Sequence, residues 1–173
     1  MRGALPCGNL PQPMKNPSPR PLTLPFVTTT RSERGTAGVA RRLAAQLATG
    51  DVIGLVGELG AGKTAFVRGL ARALGVPSSI KITSPTFTVV NTIEGGRLRL
   101  HHFDLYRLVD VDELEAIGYR DFVGTDGVAL FEWADRVPSA IPASGIWVVI
   151  EDSGPGNERR ISITAGRPRA GAS

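Results

Sequence analysis

The chain has 173 residues, 42% of them hydrophobic, which is enough for one domain with a buried core and too few for two ordinary domains. The formal net charge of +4 comes from the ends, because residues 1–25 and 165–173 hold five basic residues and no acid, and residues 26–164 carry −1. This removes the simplest reason to expect direct nucleic-acid binding, while the single cysteine excludes an intrachain disulfide.

The sequence predicts one folded domain between a disordered N-terminal segment and a flexible C-terminal tail. Residues 1–25 hold seven of the thirteen prolines, which predicts a disordered Pro-rich extension, and residues 165–173 are expected to form a flexible tail. Residues 26–164 are then the folded domain. No apolar run has the length of a membrane span, and prolines interrupt the N-terminal region where a secretion signal would need an apolar core. We therefore expect a cytoplasmic protein.

The first predicted helix begins after Ser32, a candidate N-cap, and is expected to end at Gly50. Its apolar residues recur at helical spacing, namely Val39, Ala40, Leu43, Ala44 and Leu47. Residues 52–56 form a continuously apolar run that is typical of a strand buried on both faces. A second helix is predicted from Lys63 to Leu74, before Gly75 and Pro77.

The second half of the chain is rich in predicted strands. Residues 86–93 and 97–103 are β-prone runs, and Gly95-Gly96 between them is a signal for a two-residue hairpin. Asp110 or Asp112 is expected to cap a short helix that runs through Ile117. Further strands are predicted at 128–131, 146–150 and 160–164. The expected fold is α/β, with three α/β/α layers and a mixed sheet that includes an antiparallel hairpin.

Residues 57–64 match the phosphate-loop pattern G-x-x-x-x-G-K-[ST] and lie between a predicted strand and a predicted helix. The glycines let backbone N–H groups curl around an anion at the positive end of the helix. Lys63 would reach the β- and γ-phosphates, and the Thr64 hydroxyl would bind Mg²⁺. Because no lysine follows an asparagine as in the Asn-Lys-x-Asp element of Ras-type GTPases, we expect ATP rather than GTP.

Two acids follow apolar runs and are candidates for the metal side of a nucleotide site. Asp104 ends the run 98–103 and Glu132 ends the run 128–131, so each is expected at the carboxyl end of a strand, where open α/β sheets bind their ligands. His101 and His102 are adjacent in a strand, and we expect them to face opposite sides and not to chelate one metal ion together.

Four segments, in this order and spacing, resemble the TsaE family, also called YjeE. They are the phosphate loop, Ser84-Pro85-Thr86-Phe87, the run from His102 to Leu108, and Glu132-Trp133. The resemblance spans about residues 30 to 164. It implies a P-loop ATPase that works with TsaD and TsaB to make threonylcarbamoyladenosine at position 37 of tRNA, with tRNA contacted only indirectly through the complex.

The resemblance also implies roles for individual residues. Lys63, Asp104, Glu132 and Thr86 would be catalytic, with Thr86 in a switch-like loop, and Thr64, Asp104 and Glu132 would hold Mg²⁺. The residues that would contact ATP are Glu33, Thr36, Gly57, Glu58, Leu59, Gly60, Ala61, Gly62, Lys63, Thr64, Ala65 and Trp133.

Two other functions share the phosphate loop. A small-molecule kinase would need an acceptor pocket and a lid, and the only candidate lid, residues 153–160, is short. The other alternative is a nucleotide-gated interaction module with negligible turnover. The acids Asp104 and Glu132 favour hydrolysis over such a module.

Overall fold

The computed structural model describes residues 22–154 and 157–168, which form one seven-stranded sheet with helices. The strands are β1 (Phe26–Thr30), β2 (Val52–Val56), β3 (Val90–Ile93), β4 (Arg99–Asp104), β5 (Gly127–Glu132), β6 (Ile146–Gly154) and β7 (Glu158–Ala165). The helices are α1 (Glu33–Ala44), α2 (Lys63–Ala73) and α3 (Val111–Ala116), with 3₁₀ turns at Tyr119–Asp121 and Pro138–Ala140. None of the helices in these ranges is long and apolar enough to cross a bilayer.

The sheet is mixed, with the order β1-β7-β6-β2-β5-β4-β3. Its centre is parallel, because β2 pairs in parallel with both β5 and β6, and β4 pairs in parallel with β5. The margins are antiparallel, with β3 paired to β4 on one side and β7 and β1 added beyond β6 on the other. The carboxyl ends of β2, β4 and β5 therefore meet at one edge of the sheet.

Each face of the sheet is covered by a separate hydrophobic cluster. The first cluster packs α1 and α2 on the sheet through fully buried side chains such as Leu43, Phe66 and Leu70. The second includes Leu114 of α3 and Tyr119 of the 3₁₀ turn, which pack with Phe131 of β5. The three-layer α/β/α fold with a mixed sheet and an antiparallel hairpin is confirmed.

Helix α1 begins as predicted but ends earlier. The Ser32 side chain accepts a hydrogen bond from the Gly35 N–H at 3.1 Å, which confirms the N-cap. The prediction that the helix continues to Gly50 is wrong, because the last helical residue is Ala44. The Arg97 guanidinium donates hydrogen bonds to the carbonyls of Ala44 and Leu47, so a distant side chain satisfies the end of this helix.

The predicted hairpin is confirmed as the antiparallel pair of β3 and β4, but its turn is longer than two residues. Ile93 pairs with Leu100, and residues 94–98 connect the two strands. The connection folds against the end of α2, where the Arg97 N–H donates to the Leu74 carbonyl. Tertiary contact with a helix, rather than the local glycine pair alone, therefore determines the shape of this turn.

The β-prone run at 86–93 is only half strand. Residues 86–88 form a turn, and β3 begins at Val90. The Val89 N–H donates to the Pro85 carbonyl at 2.7 Å, and Val89 has a left-handed φ of 65°. The prediction of a strand across residues 86–89 is therefore wrong. The hydrogen bond from Val89 to Pro85 closes a turn, and pairing with β4 begins only at Val90.

The packed domain begins before the predicted boundary at residue 26. Leu22 is only 6% exposed and belongs to the first hydrophobic cluster, and Leu24 packs against the same cluster. Strand β1, which no sequence signal predicted, then pairs with β7. Of the disordered segment expected at 1–25 and the flexible tail expected at 165–173, residues 1–21 and 169–173 lie outside the described residues, and Ala165 is the last residue of β7.

Candidate functional site

The loop from Gly57 to Thr64 connects β2 to α2 at the carboxyl edge of the sheet. Gly62 has a φ of 103°, which side chains rarely adopt, and it is the N-cap of α2. At Gly57 a Cβ would lie 2.5 Å from the Ile150 carbonyl oxygen, so β6 passes too close for a larger residue. The glycines thus let the chain turn tightly into the positive end of the helix.

Lys63 lies at the base of this loop and is 5% exposed. Its Nζ donates hydrogen bonds to the carbonyls of Gly57, at 2.6 Å, and Glu58, at 3.0 Å, and lies 3.6 Å from the centre of the Trp133 ring. Burial lowers the pKa of Lys63, and the carboxylates of Glu132 and Asp104 oppose that shift. Acids therefore help to keep a desolvated cation charged beside the loop.

Asp104 and Glu132 lie directly opposite each other, because the parallel pairing of β4 and β5 places their Cα atoms in register. Both are buried, at 3% and 2% exposure. Asp104 Oδ2 accepts hydrogen bonds from Ser84 Oγ at 2.5 Å and Thr86 Oγ1 at 2.7 Å, and Oδ1 accepts from the Tyr106 N–H at 3.0 Å. The Ser-Pro-Thr turn is thus tied to one of the two acids.

The carboxylate of Glu132 has a different partner, the imidazole of His102 in β4. His102 Nε2 lies 2.8 Å from Glu132 Oε1, and both side chains are buried. The neighbouring His101 points to the other face of the strand, where its Nε2 is 3.1 Å from Asp126 Oδ1. The expectation that the two histidines face opposite sides agrees with these contacts.

The loop and both acids line one cavity of about 530 Å³. The residues that the sequence singled out and that this cavity brings together are Glu33, Thr36, Leu59, Gly60, Gly62, Lys63, Thr64, Ala65, Thr86, Asp104, Glu132 and Trp133. Three others, Gly57, Glu58 and Ala61, line an adjoining cavity of about 550 Å³ behind the loop. Trp133 lines both, so the two cavities share a wall.

The first turn of α1 also lines the cavity, through Glu33 and Thr36. Glu33 lies near Arg68, with a carboxylate oxygen 4.0 Å from a guanidinium nitrogen, and its side chain is 77% exposed. The Thr36 hydroxyl is buried and hydrogen-bonded to that of Thr30 at 3.1 Å. Glu33 is thus accessible to a ligand, whereas the Thr36 hydroxyl already has a protein partner.

Four further residues of the cavity were not anticipated from the sequence as site residues, namely Arg68, Ser84, Tyr106 and Arg159. Arg159 arrives on β7, and its Nε lies 3.2 Å from the position of a Cβ on Gly62. No motif surrounds Arg159, so only the pairing of β7 with β6 could have revealed it. Ser84 lies two residues before Thr86, and Tyr106 lies two residues after Asp104. This two-residue spacing from predicted site residues was the available signal.

The oxygen atoms at this edge suit a magnesium ion that is shared with a nucleotide. Mg²⁺ prefers hard oxygen ligands and is usually held by one or two carboxylates together with substrate phosphates and water. Thr64, Asp104 and Glu132 offer a hydroxyl and two carboxylates on one cavity. The described residues contain no group of three or more His, Cys, Asp or Glu side chains that would hold a metal by themselves.

A family model and several relatives match this chain. The family model described as "Threonylcarbamoyl adenosine biosynthesis protein TsaE" matches residues 30–161. The chain is 39% identical to the tRNA threonylcarbamoyladenosine biosynthesis protein TsaE of Bacillus subtilis over 130 residues, which cover 75% of this chain and 79% of that protein.

Two other proteins support the same relationship. The TsaE protein of Treponema pallidum is 39% identical over 133 residues, which cover 77% of this chain and 96% of that protein. The crystal structure of Bacillus subtilis YdiB superposes with a TM-score of 0.67 and 34% identity, covering 82% of this chain and 86% of that one. The fold, the family model and these relatives agree, and the chain belongs to the TsaE family.

Proposed function

We propose that the chain is a magnesium-dependent ATPase that supports the threonylcarbamoyladenosine modification of tRNA. The observation that carries the proposal is the convergence of the phosphate loop, Lys63, Thr64, Asp104 and Glu132 on one cavity of about 530 Å³. The family's name supports the pathway, since its relatives are called tRNA threonylcarbamoyladenosine biosynthesis proteins.

The backbone N–H groups of the loop would bind the phosphates of ATP at the N-terminus of α2. Lys63 would turn its ammonium from the carbonyls of Gly57 and Glu58 toward the β- and γ-phosphates. A compact ammonium suits this buried place better than the wider guanidinium of arginine. When bound, Mg²⁺ would neutralise phosphate charge, and Thr64, Asp104 and Glu132 are the side chains that would hold it.

A protein that hydrolyses ATP must also exclude or position water. The turn at 85–89 contacts Asp104, because its Thr86 hydroxyl already donates to that carboxylate. A ligand bound to Asp104 would therefore affect the hydrogen bond that Thr86 donates to it. The carboxylate of Asp104 or Glu132 is the group that would orient a water molecule toward the γ-phosphate.

We further propose that TsaD and TsaB are the partners, and that tRNA is met through their complex rather than by this chain alone. The near-neutral charge of residues 26–164 supports an indirect contact, because direct phosphate binding needs a basic surface. A role in tRNA modification would place the protein in the cytoplasm. Slow hydrolysis by the isolated chain, accelerated by the partners, is the expected behaviour.

The decisive substitution is Lys63→Ala, with Lys81→Ala as the matched control. Lys81 is exposed and lies outside the residues that line the cavity. Because a charge-assisted contact contributes about 1.5–3 kcal/mol, we expect Lys63→Ala to weaken magnesium-ATP binding by about tenfold to a hundredfold. Calorimetry would measure the affinities with and without Mg²⁺. The proposal fails if the wild-type chain shows no magnesium-dependent affinity for adenine nucleotides.

Two activity measurements separate this proposal from the alternatives. Phosphate release in the absence of any acceptor would distinguish an ATPase from a small-molecule kinase. Restoration of the modified nucleoside in a defective strain by the wild-type chain, but not by Lys63→Ala, would tie nucleotide binding to the tRNA pathway. A Lys63→Ala variant that restored the nucleoside fully would contradict both enzyme functions.

A further inference from the structure

The His102 side chain is fully enclosed in the sheet yet faces the proposed metal site. It is 0% exposed and lies two residues before Asp104 in β4, so both side chains are on the same face of the strand. Its register partner in β5 is Leu130, and Glu132 lies two residues further along that strand. The pairing of the two strands therefore brings the imidazole to the carboxylate of Glu132.

The two imidazole nitrogens have unequal surroundings. Nε2 lies 2.8 Å from Glu132 Oε1, whereas Nδ1 is buried with no hydrogen-bond partner in the described part of the chain. If the proton were on Nδ1, that buried N–H would have no acceptor. Nε2 and Glu132 Oε1 would then lie next to each other as two acceptors with no proton between them. The arrangement consequently requires the proton on Nε2, which donates to Glu132.

The Nε2–H of His102 bonds to one oxygen of the Glu132 carboxylate and does not bond to the other. Among residues 22–154 and 157–168, Oε1 accepts from His102, and Oε2 has no hydrogen-bond donor. A carboxylate that is hydrogen-bonded at one oxygen has a restricted rotamer, and its second oxygen stays available to a cation. His102 is 0% exposed, so water does not compete with its Nε2–H for Glu132 Oε1.

We propose that His102 is the positioning residue for Glu132 as a magnesium ligand. The inference rests on the proposed function for its metal, but it concerns a residue that acts through Glu132 and does not touch the ion. Removal of such supporting hydrogen bonds typically weakens metal affinity by about 10–100-fold. Its effect should therefore appear in the magnesium dependence of nucleotide binding rather than in nucleotide affinity without metal.

The test compares His102→Asn with His102→Gln. The amide nitrogen of glutamine is as many bonds from the backbone as Nε2 and can donate to Glu132, whereas that of asparagine is one bond short. Both replacements are polar, neutral and smaller than histidine, so a general loss of packing would affect both. The matched control is His101→Asn, because His101 is equally buried in β4 but contacts Asp126 on the other face.

The probes are ADP and Mg²⁺, with the Mg²⁺ concentration for half-maximal ADP binding measured by calorimetry. We expect His102→Asn to raise that concentration by about 10–100-fold, His102→Gln to stay within about threefold of wild type, and ADP affinity in EDTA to be unchanged in all variants. Equal losses in the Asn and Gln variants would overturn the proposal, and so would an unchanged magnesium dependence in His102→Asn.

A measurement on the wild-type chain keeps the proposal testable if the Asn variant does not fold. The chain has two histidines, so their ring nitrogens can be distinguished by ¹⁵N NMR with one substitution. We expect the His102 resonances to report a proton on Nε2, and a proton on Nδ1 with none on Nε2 would overturn the proposal. A wild-type chain without magnesium-dependent ADP binding would refute the proposed function itself, which is a different outcome.

Discussion

The Lys63 ammonium is surrounded by two carbonyls, the Trp133 ring and nearby carboxylates, and burial lowers its pKa below the usual 10.5. Only the protonated amine can pair with phosphate, so nucleotide binding would favour the form that burial disfavours. We expect the affinity for magnesium-ADP to fall as the pH rises through the lowered pKa, starting below 10.5. Calorimetry across this alkaline range would measure the decline.

The control for this pH profile is Tyr106→Phe. Tyr106 also lines the cavity, and the substitution removes only its hydroxyl group. If Lys63 is responsible, the substitution leaves the pH profile unchanged. An affinity that stays constant up to pH 10.5 in the wild-type chain would contradict the assignment.

Much of the site at residue scale could be predicted, because its parts carry local signals. The phosphate loop has a motif, and Asp104 and Glu132 each end an apolar run. Arg159 has no such signal, since it reaches Gly62 only through the pairing of β7 with β6. The contact between His102 and Glu132 was equally hidden, because the two residues are 30 positions apart in sequence and meet only through the register of β4 and β5.

Helices α1 and α2 pack closely at Gly69, where a Cβ would lie 2.7 Å from the Ala37 Cα. By contrast, a Cβ on Gly38 in α1 would meet no atom within 4 Å. We therefore expect Gly69→Ala to destabilise the fold by about 1–3 kcal/mol through overpacking. Gly38→Ala should stabilise it by about 0.5–1 kcal/mol, because alanine costs less backbone entropy in a helix.

Urea unfolding would measure both variants at the same protein concentration, with the slope compared to confirm that the transition stays two-state. The two substitutions are expected to change the free energy of unfolding in opposite directions. Helix propensity alone would favour alanine at both positions, so the difference in sign tests the packing at Gly69. Stabilisation by Gly69→Ala would show that the helices separate without cost.

At the scale of elements, local pattern predicted the existence of most helices and strands better than their ends. The Ser32 cap lies within the segment that it begins and could be predicted. The end of α1 depends on Arg97, more than 50 residues later, and the turn at 85–89 depends on hydroxyls that bond to Asp104. Such ends are decided by tertiary partners that no short window of sequence contains.

At the scale of the whole molecule, the first hydrophobic cluster extends to the start of the described chain. Leu22 is 6% exposed in that cluster, whereas Val27 in β1 is 54% exposed. We expect Leu22→Ala to lower the free energy of unfolding by at least about 2 kcal/mol. Val27→Ala is the control, with an expected change of about 0.5 kcal/mol or less, and thermal or urea unfolding would measure both.

An equal and small effect of the two substitutions would show that residues 22–25 do not belong to the domain. The placement of β1 raises the same question at the sheet margin, because this strand was not predicted and is held by β7. The order of the strands in the sheet could not be predicted from the sequence either. Nothing local indicates that β6 lies between β2 and β7, since that order follows from how all seven strands bury both faces together.

The two hydroxyls that bond to Asp104 Oδ2 link the interior of the cavity to the surface of the molecule. Thr86 holds that oxygen, and the next residue, Phe87, is 83% exposed. Each carboxylate oxygen has two lone pairs, so a magnesium ion bound to Asp104 Oδ2 would leave room for one of the two hydroxyls to keep its hydrogen bond. The exposed ring of Phe87, whose centre lies 4.4 Å from the Arg107 guanidinium, would thus be separated from the ion by one residue and one hydrogen bond, that of Thr86.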